Sequence, residues 1–248
     1  MHSLSARIAG HFAARGEGEV CAVFKHSFYL RFEGGSYACV GDESIGRGPL
    51  NAIVDEFSAP ALGQKIALSA DSNWRPASLL MSALPDFYSL RQAARSRAPM
   101  DGFGCLVART HNALSAHAQP ALDAIDEWIA GNALDARAEE LVGLGPGLVP
   151  AGDGYFGGVM VALQLLDRAG QAAALWRWLE PRLARRSNPI SAAHLAAAAA
   201  GEAHEALHDC LSKLFQREAD WEGVLERLQG SGWNALAGAL AVLEKQRY

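Results

Sequence analysis

The sequence predicts an α+β fold with its two kinds of structure segregated: a small antiparallel β-rich module, then an α-helical bundle. Three observations carry this. The first hundred residues hold short β-prone runs divided by polar or glycine turns. The remainder is rich in alanine and leucine at helical spacing. Between the two textures Pro99, Gly102 and Gly104 cluster, placing a boundary near 100–115 and units at 1–110 and 111–248.

Leu4, Ile8 and Phe12 share one stripe, so 3–15 reads as an N-terminal helix. Runs at 20–24, 28–32 and 37–40 are rich in Val, Phe and Tyr, and Glu33, Gly34, Gly35 and Ser36 between two of them suit a hairpin turn. Further strands are expected at 50–54 and 65–68, a number and spacing compatible with a barrel-like module. Residues 77–90 are mixed, and 114–141 reads as an amphipathic helix broken at Gly131 and Asn132. Helices are then expected over 155–169, 171–186, 191–200 continuing through 202–217 past Gly201, and 233–245.

The chain of 248 residues is half hydrophobic and one-fifth charged, enough for a sizeable core in one or two closely packed units. A net charge of −5 argues against nonspecific nucleic-acid binding, although Arg182, Arg185 and Arg186 could hold a small anion. Cys21, Cys39, Cys105 and Cys210 show no paired spacing and read as reduced, mostly buried thiols. The first eighteen residues lack the apolar run of a secretory signal. The longest apolar run, over 156–166, is too short to span a bilayer. A cytoplasmic protein without membrane association is expected.

Chemistry concentrates at 143–154, Gly-Leu-Gly-Pro-Gly-Leu-Val-Pro-Ala-Gly-Asp-Gly, followed at once by an apolar helical stretch. Glycine allows positive φ and close approach, and proline stiffens its surroundings, so the segment reads as a fixed loop delivering free amides to a helix N-terminus. Unpaired amides and the helix dipole there suit an anion. No Lys-Ser/Thr pair follows, which excludes a Walker loop, and the spacing of Gly143, Gly145 and Gly147 does not fit a dinucleotide fingerprint. The alternative is a glycine-rich connection that only lets elements pack closely.

Gly230-Ser-Gly-Trp-Asn-Ala-Leu-Ala-Gly238 echoes Gly152-Asp-Gly-Tyr-Phe-Gly-Gly158, and 187–191 offers a third helix start capped by Asn188 or Ser191. If these starts converge, the anion site comprises Gly143, Gly145, Gly147, Gly152, Asp153, Ser191, Ser231, Gly232 and Asn234. Arg47, Arg185 or Arg186 would supply positive charge. Asp153 would repel an anion on the same amides, and capping its own helix is the role expected of it. Trp233, at the second glycine element, is the aromatic residue most suited to line a pocket. His204, Glu205 and His208 spell His-Glu-x-x-His, a zinc-peptidase arrangement on a helix. Charge at Glu202 and Asp209, and no histidine after His208, favour a solvated helix face, with Glu218, Glu222 or Glu226 as the alternative further ligand; neither metal nor cofactor is expected.

The loop resembles the signature Gly-Leu-Gly-Pro-Gly-Leu-Thr-Pro-Ser-Gly-Asp-Asp of the bacterial AllH family, which includes the small subunit linked to oxamate carbamoyltransferase in anaerobic allantoin breakdown. Weaker similarity continues at Ile45–Leu50, Ile190–Ser191 and Ser231–Asn234. The resemblance implies carbamoyl transfer between oxalurate and phosphate, giving oxamate and carbamoyl phosphate, in company with other protein subunits. All four species are anionic. Val149, Ala151 and Gly154 stand where the signature has threonine, serine and a second aspartate, and Asn234 where aspartate is common. The loop skeleton should persist, while side-chain chemistry from those positions cannot. The expected function is therefore an anion-binding subunit of a carbamoyltransferase-like system. The alternative is a noncatalytic assembly subunit; a zinc hydrolase is a third, weaker reading.

Overall fold

The computed structural model describes residues 3–5, 7, 16–67, 73–76, 84–216 and 220–246. The chain divides into two units, Met1–Ala77 and Ser78–Tyr248. The division falls before the proline and glycine cluster at 99–104 because residues after 84 belong to the helical core. Leu90, Ala94, Phe103 and Val107 are completely buried in it.

The first unit is a seven-stranded sheet of β1 (Ser3–Ser5), β2 (Glu17–Val23), β3 (Ser27–Arg31), β4 (Tyr37–Gly41), β5 (Asn51–Ile53), β6 (Lys65–Ala67) and β7 (Asn73–Trp74). Their order is β6-β2-β3-β4-β5-β1-β7. The pairings are antiparallel except β4 with β5 and β1 with β7. The hairpin between β3 and β4 turns through Gly34 and Gly35, both at positive φ. Ser3–Ser5 is a strand rather than the start of a helix, because Ser3 and Leu4 pair with Ile53 and Ala52. Residues 8–15 of that expected helix lie outside the described residues.

Chain length dictates the sheet's curvature. A flat sheet of seven strands spans about 29 Å between its edges. The six backbone steps from Ala67 on one edge to Asn73 on the other reach at most about 21 Å. The sheet curls accordingly into a half-barrel. Phe28, Val40, Phe57 and Ile66 help line a cavity of about 370 Å³ on it.

The second unit contains α1 (Phe87–Ala94), α2 (Gly104–Val107), α3 (Ala113–Ile129), α4 (Ala151–Leu165), α5 (Ala169–Arg186), α6 (Pro189–Ala199), α7 (Glu205–Gln216), α8 (Glu222–Arg227) and α9 (Gly230–Leu243). Asn112 and Ser115 form a reciprocal capping box at the start of α3. The expected break at Gly131 and Asn132 separates α3 from a 3-10 turn, Ala136–Leu141. Of the mixed segment 77–90, residues 77–83 lie outside the described residues. α8 has no counterpart in the sequence reading.

α4 is apolar almost all round and sits at the centre of the core, as such a helix must. It begins at Ala151, four residues before the expected start, so Ala-Gly-Asp-Gly forms its first turn rather than the end of the loop. α9 is its principal partner. A Cβ on Gly158 would overlap the carbonyl of Ala235, and one on Gly238 would overlap that of Tyr155. The two helices therefore cross in backbone contact, each supplying one glycine. Among the described residues no helix is long and apolar enough to cross a membrane.

Candidate functional site

The loop from Gly143 to Pro150 is shaped by three glycines at positive φ: Gly143 at 73°, Gly145 at 102° and Gly147 at 96°. Gly143 has a second constraint, since a Cβ there would overlap the carbonyl of Arg186. A Cβ on Gly147 would meet open space, so that glycine is required only for its backbone angle.

Three ties pin the loop. The amide of Gly143 donates to Asp153 Oδ1 at 2.8 Å. The amide of Gly152 donates to the carbonyl of Leu144 at 2.9 Å. Asn188 Nδ2 donates to the carbonyl of Leu148 at 2.9 Å. Leu144 N–H is also taken, by Leu141. Among the described residues, the amides of Gly145, Gly147, Leu148 and Val149 have no acceptor within the chain. Part of the amide set expected from the sequence is thus spent on the fold, and part is unspent.

Asp153 organises the site in a different way from helix capping. It is the third residue of α4 and has no exposed surface. Besides Gly143, it accepts from Ser191 Oγ at 2.6 Å and from Ser187 Oγ, both on Oδ2. Ser191 is the third residue of α6, whose N-cap Asn188 accepts from the Ser191 amide at 3.0 Å. Two helix N-termini therefore meet, with the Asp153 carboxylate as the negative group between them. That carboxylate occupies ground an external anion would need. The unpaired amides lie along 145–149 instead.

The third start also reaches α4. A Cβ on Gly154 would lie 3.0 Å from Asn234 Cβ and 3.3 Å from the carbonyl oxygen of Ser231. Asn234 faces the fold: its Oδ1 accepts from the amide of Phe103 at 2.7 Å, and the residue is 6 % exposed. Ser231 is exposed, Gly232 packs against Leu228, and Trp233 is buried in the core. Arg47 belongs to the other unit and is exposed. Arg182 and Arg186 share Glu139 at 3.1 and 3.2 Å, while Arg185 is exposed. Sequence reading missed Ser187, and its only signal was a serine directly before a well-capped helix start.

Both histidines of the His-Glu-x-x-His segment are engaged by backbone amides. His208 Nε2 accepts from the amide of Ala203 at 3.1 Å, and His204 Nδ1 from that of Ala206 at 3.3 Å. Both rings thus brace the turn that leads into α7. Among the described residues, no three His, Cys, Asp or Glu side chains are grouped to hold a metal ion. Desolvation lowers His208 and His194 to about 4, so both rings are neutral near neutral pH.

Comparison with curated proteins and with solved structures finds no match. Comparison with protein families finds one over residues 141–243, the stretch that opens at the glycine loop and closes at the end of α9. The family is the oxamate carbamoyltransferase subunit AllH, and this match supports the family that the loop sequence resembles.

Proposed function

We propose that this chain is the anion-binding subunit of a carbamoyltransferase-like system, holding a carboxylate or phosphate of its substrate on the amides of Gly145, Gly147, Leu148 and Val149. The observation that carries this reading is the pinned loop: its ends are fixed by Asp153, Leu144 and Asn188, while four amides between them have no acceptor among the described residues. Fixed amide donors stabilise negative charge without reorganising. Oxalurate, oxamate, phosphate and carbamoyl phosphate all carry such charge. Gly143, Gly152, Asp153 and Ser191 then shape the loop rather than touch the ligand. Ser231 and Asn234 pack against α4 at Gly154, Gly232 packs against Leu228, and Arg47 has no assigned part. The family description supports protein partners, so transfer activity is expected of the assembled subunits.

Titration calorimetry of the purified chain with phosphate, oxamate and carbamoyl phosphate tests the reading. Saturable binding at millimolar ligand or below, lost when Gly147 is replaced by proline, is expected. No heat from any of the three overturns it. That outcome would favour the second reading, an assembly subunit whose glycines serve packing. The backbone crossing of α4 and α9 at Gly158 and Gly238 supports that alternative.

A further inference from the structure

Resting on the anion-binding reading, we propose that Ser187 is a nucleophile that takes a carbamoyl group from an acyl phosphate, with Asp153 receiving its proton. Two hydroxyls donate to Asp153 Oδ2, those of Ser187 and Ser191. Ser191 has no exposed surface, whereas Ser187 is only partly buried, so only Ser187 can meet a ligand. The carboxylate beneath it is held by the Gly143 amide and by Ser191 and is wholly shielded from water. Among the described residues no Lys or Arg forms an ion pair with it. It is therefore a fixed acceptor, with its geometry set before any substrate arrives.

The surroundings of Ser187 suit the charge that such an attack creates. The residue is the C-cap of α5 and directly precedes the N-cap of α6, so the negative end of one helix and the positive end of the next oppose each other there, and the donors that favour an oxyanion are the loop amides. The glycine loop is stitched to the chain on both sides of it, by the close approach of Gly143 to Arg186 and by the bond from Asn188 to Leu148. The four unpaired amides lie within and just beyond that stitched stretch and are the donors available to a developing oxyanion.

In the step, Ser187 Oγ attacks the carbamoyl carbon and its proton passes to Asp153 Oδ2. The new Oγ–C bond forms, and the bond from that carbon to the phosphate oxygen breaks. The electron pair leaves with phosphate. Nothing is oxidised or reduced. A second nucleophile, an amide nitrogen or water, then attacks the carbamoyl carbon; the Oγ–C bond breaks with its electron pair on Oγ, the Asp153 proton returns to Oγ, and the nucleophile's own proton passes to the released phosphate.

The test uses the full chain. One sample is incubated with carbamoyl phosphate, one with cyanate to report nonspecific carbamoylation of amines, and one with a fluorophosphonate. Peptide mass spectrometry then locates the adducts. The expected result is a carbamoyl adduct on Ser187 from carbamoyl phosphate but not from cyanate, and fluorophosphonate labelling of the same serine. Both should be lost in Ser187→Ala and slowed about a hundredfold in Asp153→Asn. Wild-type chain that binds phosphate yet gains no label at Ser187 from either reagent overturns the proposal, even if Asp153→Asn fails to fold. An Asp153→Asn chain that folds and labels at the wild-type rate also overturns it. Asp153-dependent fluorophosphonate labelling without phosphate binding would support the nucleophile and sink the anion reading instead.

Discussion

The two glycine-rich segments of the helical unit look alike in sequence and use glycine for different reasons. In 143–147 the glycines supply positive φ, and the backbone they bend leaves amides unpaired. In α4 and α9 the glycines are helical, and what matters is the missing side chain: Gly158 and Gly238 each lie against a carbonyl of the other helix. Counting glycines cannot tell these uses apart. The partner does, because only a tertiary neighbour makes a helical glycine necessary.

Substitutions can break or sharpen this contrast. The largest effect is expected at the crossing. In an isolated helix, glycine to alanine would gain about 1 kcal/mol. Gly158→Ala or Gly238→Ala must instead push two backbones apart, with an expected loss of about 3 kcal/mol or more by urea unfolding. A neutral or stabilised variant would mean the helices separate easily.

Next comes the carboxylate that joins loop and helices. Asp153→Ala strips an acceptor from a partly buried amide and two hydroxyls, and should cost about 2–3 kcal/mol in the same measurement. It should also loosen the loop, which hydrogen exchange at the Gly143 amide would report. Gly147→Ala should cost only about 1–2 kcal/mol, since backbone angle alone is at stake there. Its effect on anion binding should exceed its effect on stability, the reverse of Gly158→Ala.

A last test, by pH rather than by substitution, addresses the fold around both segments. His194 and His208 sit at about 4 through desolvation, below the ordinary histidine value of about 6.5. The unfolded chain binds more protons between those values, so their contribution is complete above about pH 6.5 and is lost as pH falls toward about 4. His208 Nε2 must also give up the Ala203 amide when it protonates. Urea midpoints followed through that window should decline, and a flat profile would contradict the assignment.

Much of this was legible in the sequence. The helix start at Asn188 follows from its cap, and the strands at 20–24, 28–32 and 37–40 follow from β-branched and aromatic runs, whereas α9 begins at Gly230, three residues before the expected 233. Local pattern failed where distant partners decide. Leu4 fits a helical stripe with Ile8 and Phe12, yet pairing with Ala52 makes it a strand. Asp153 looked like a cap because the helix was expected to begin just after it, at 155, whereas it begins at Ala151. Its true partners, Ser187 and Ser191, lie 34 and 38 residues further along the chain. The convergence of helix starts could be imagined from repeated glycines, but not which amides would be left over once the fold had used the others.

The tie between Gly152 and Leu144 has a kinetic consequence. A loop closed on itself by so short a circuit has already surrendered its freedom during folding, so little ordering would remain to oppose a visitor. Affinity variants in 145–149 should then differ chiefly in how fast the guest departs, with arrival rates nearly constant.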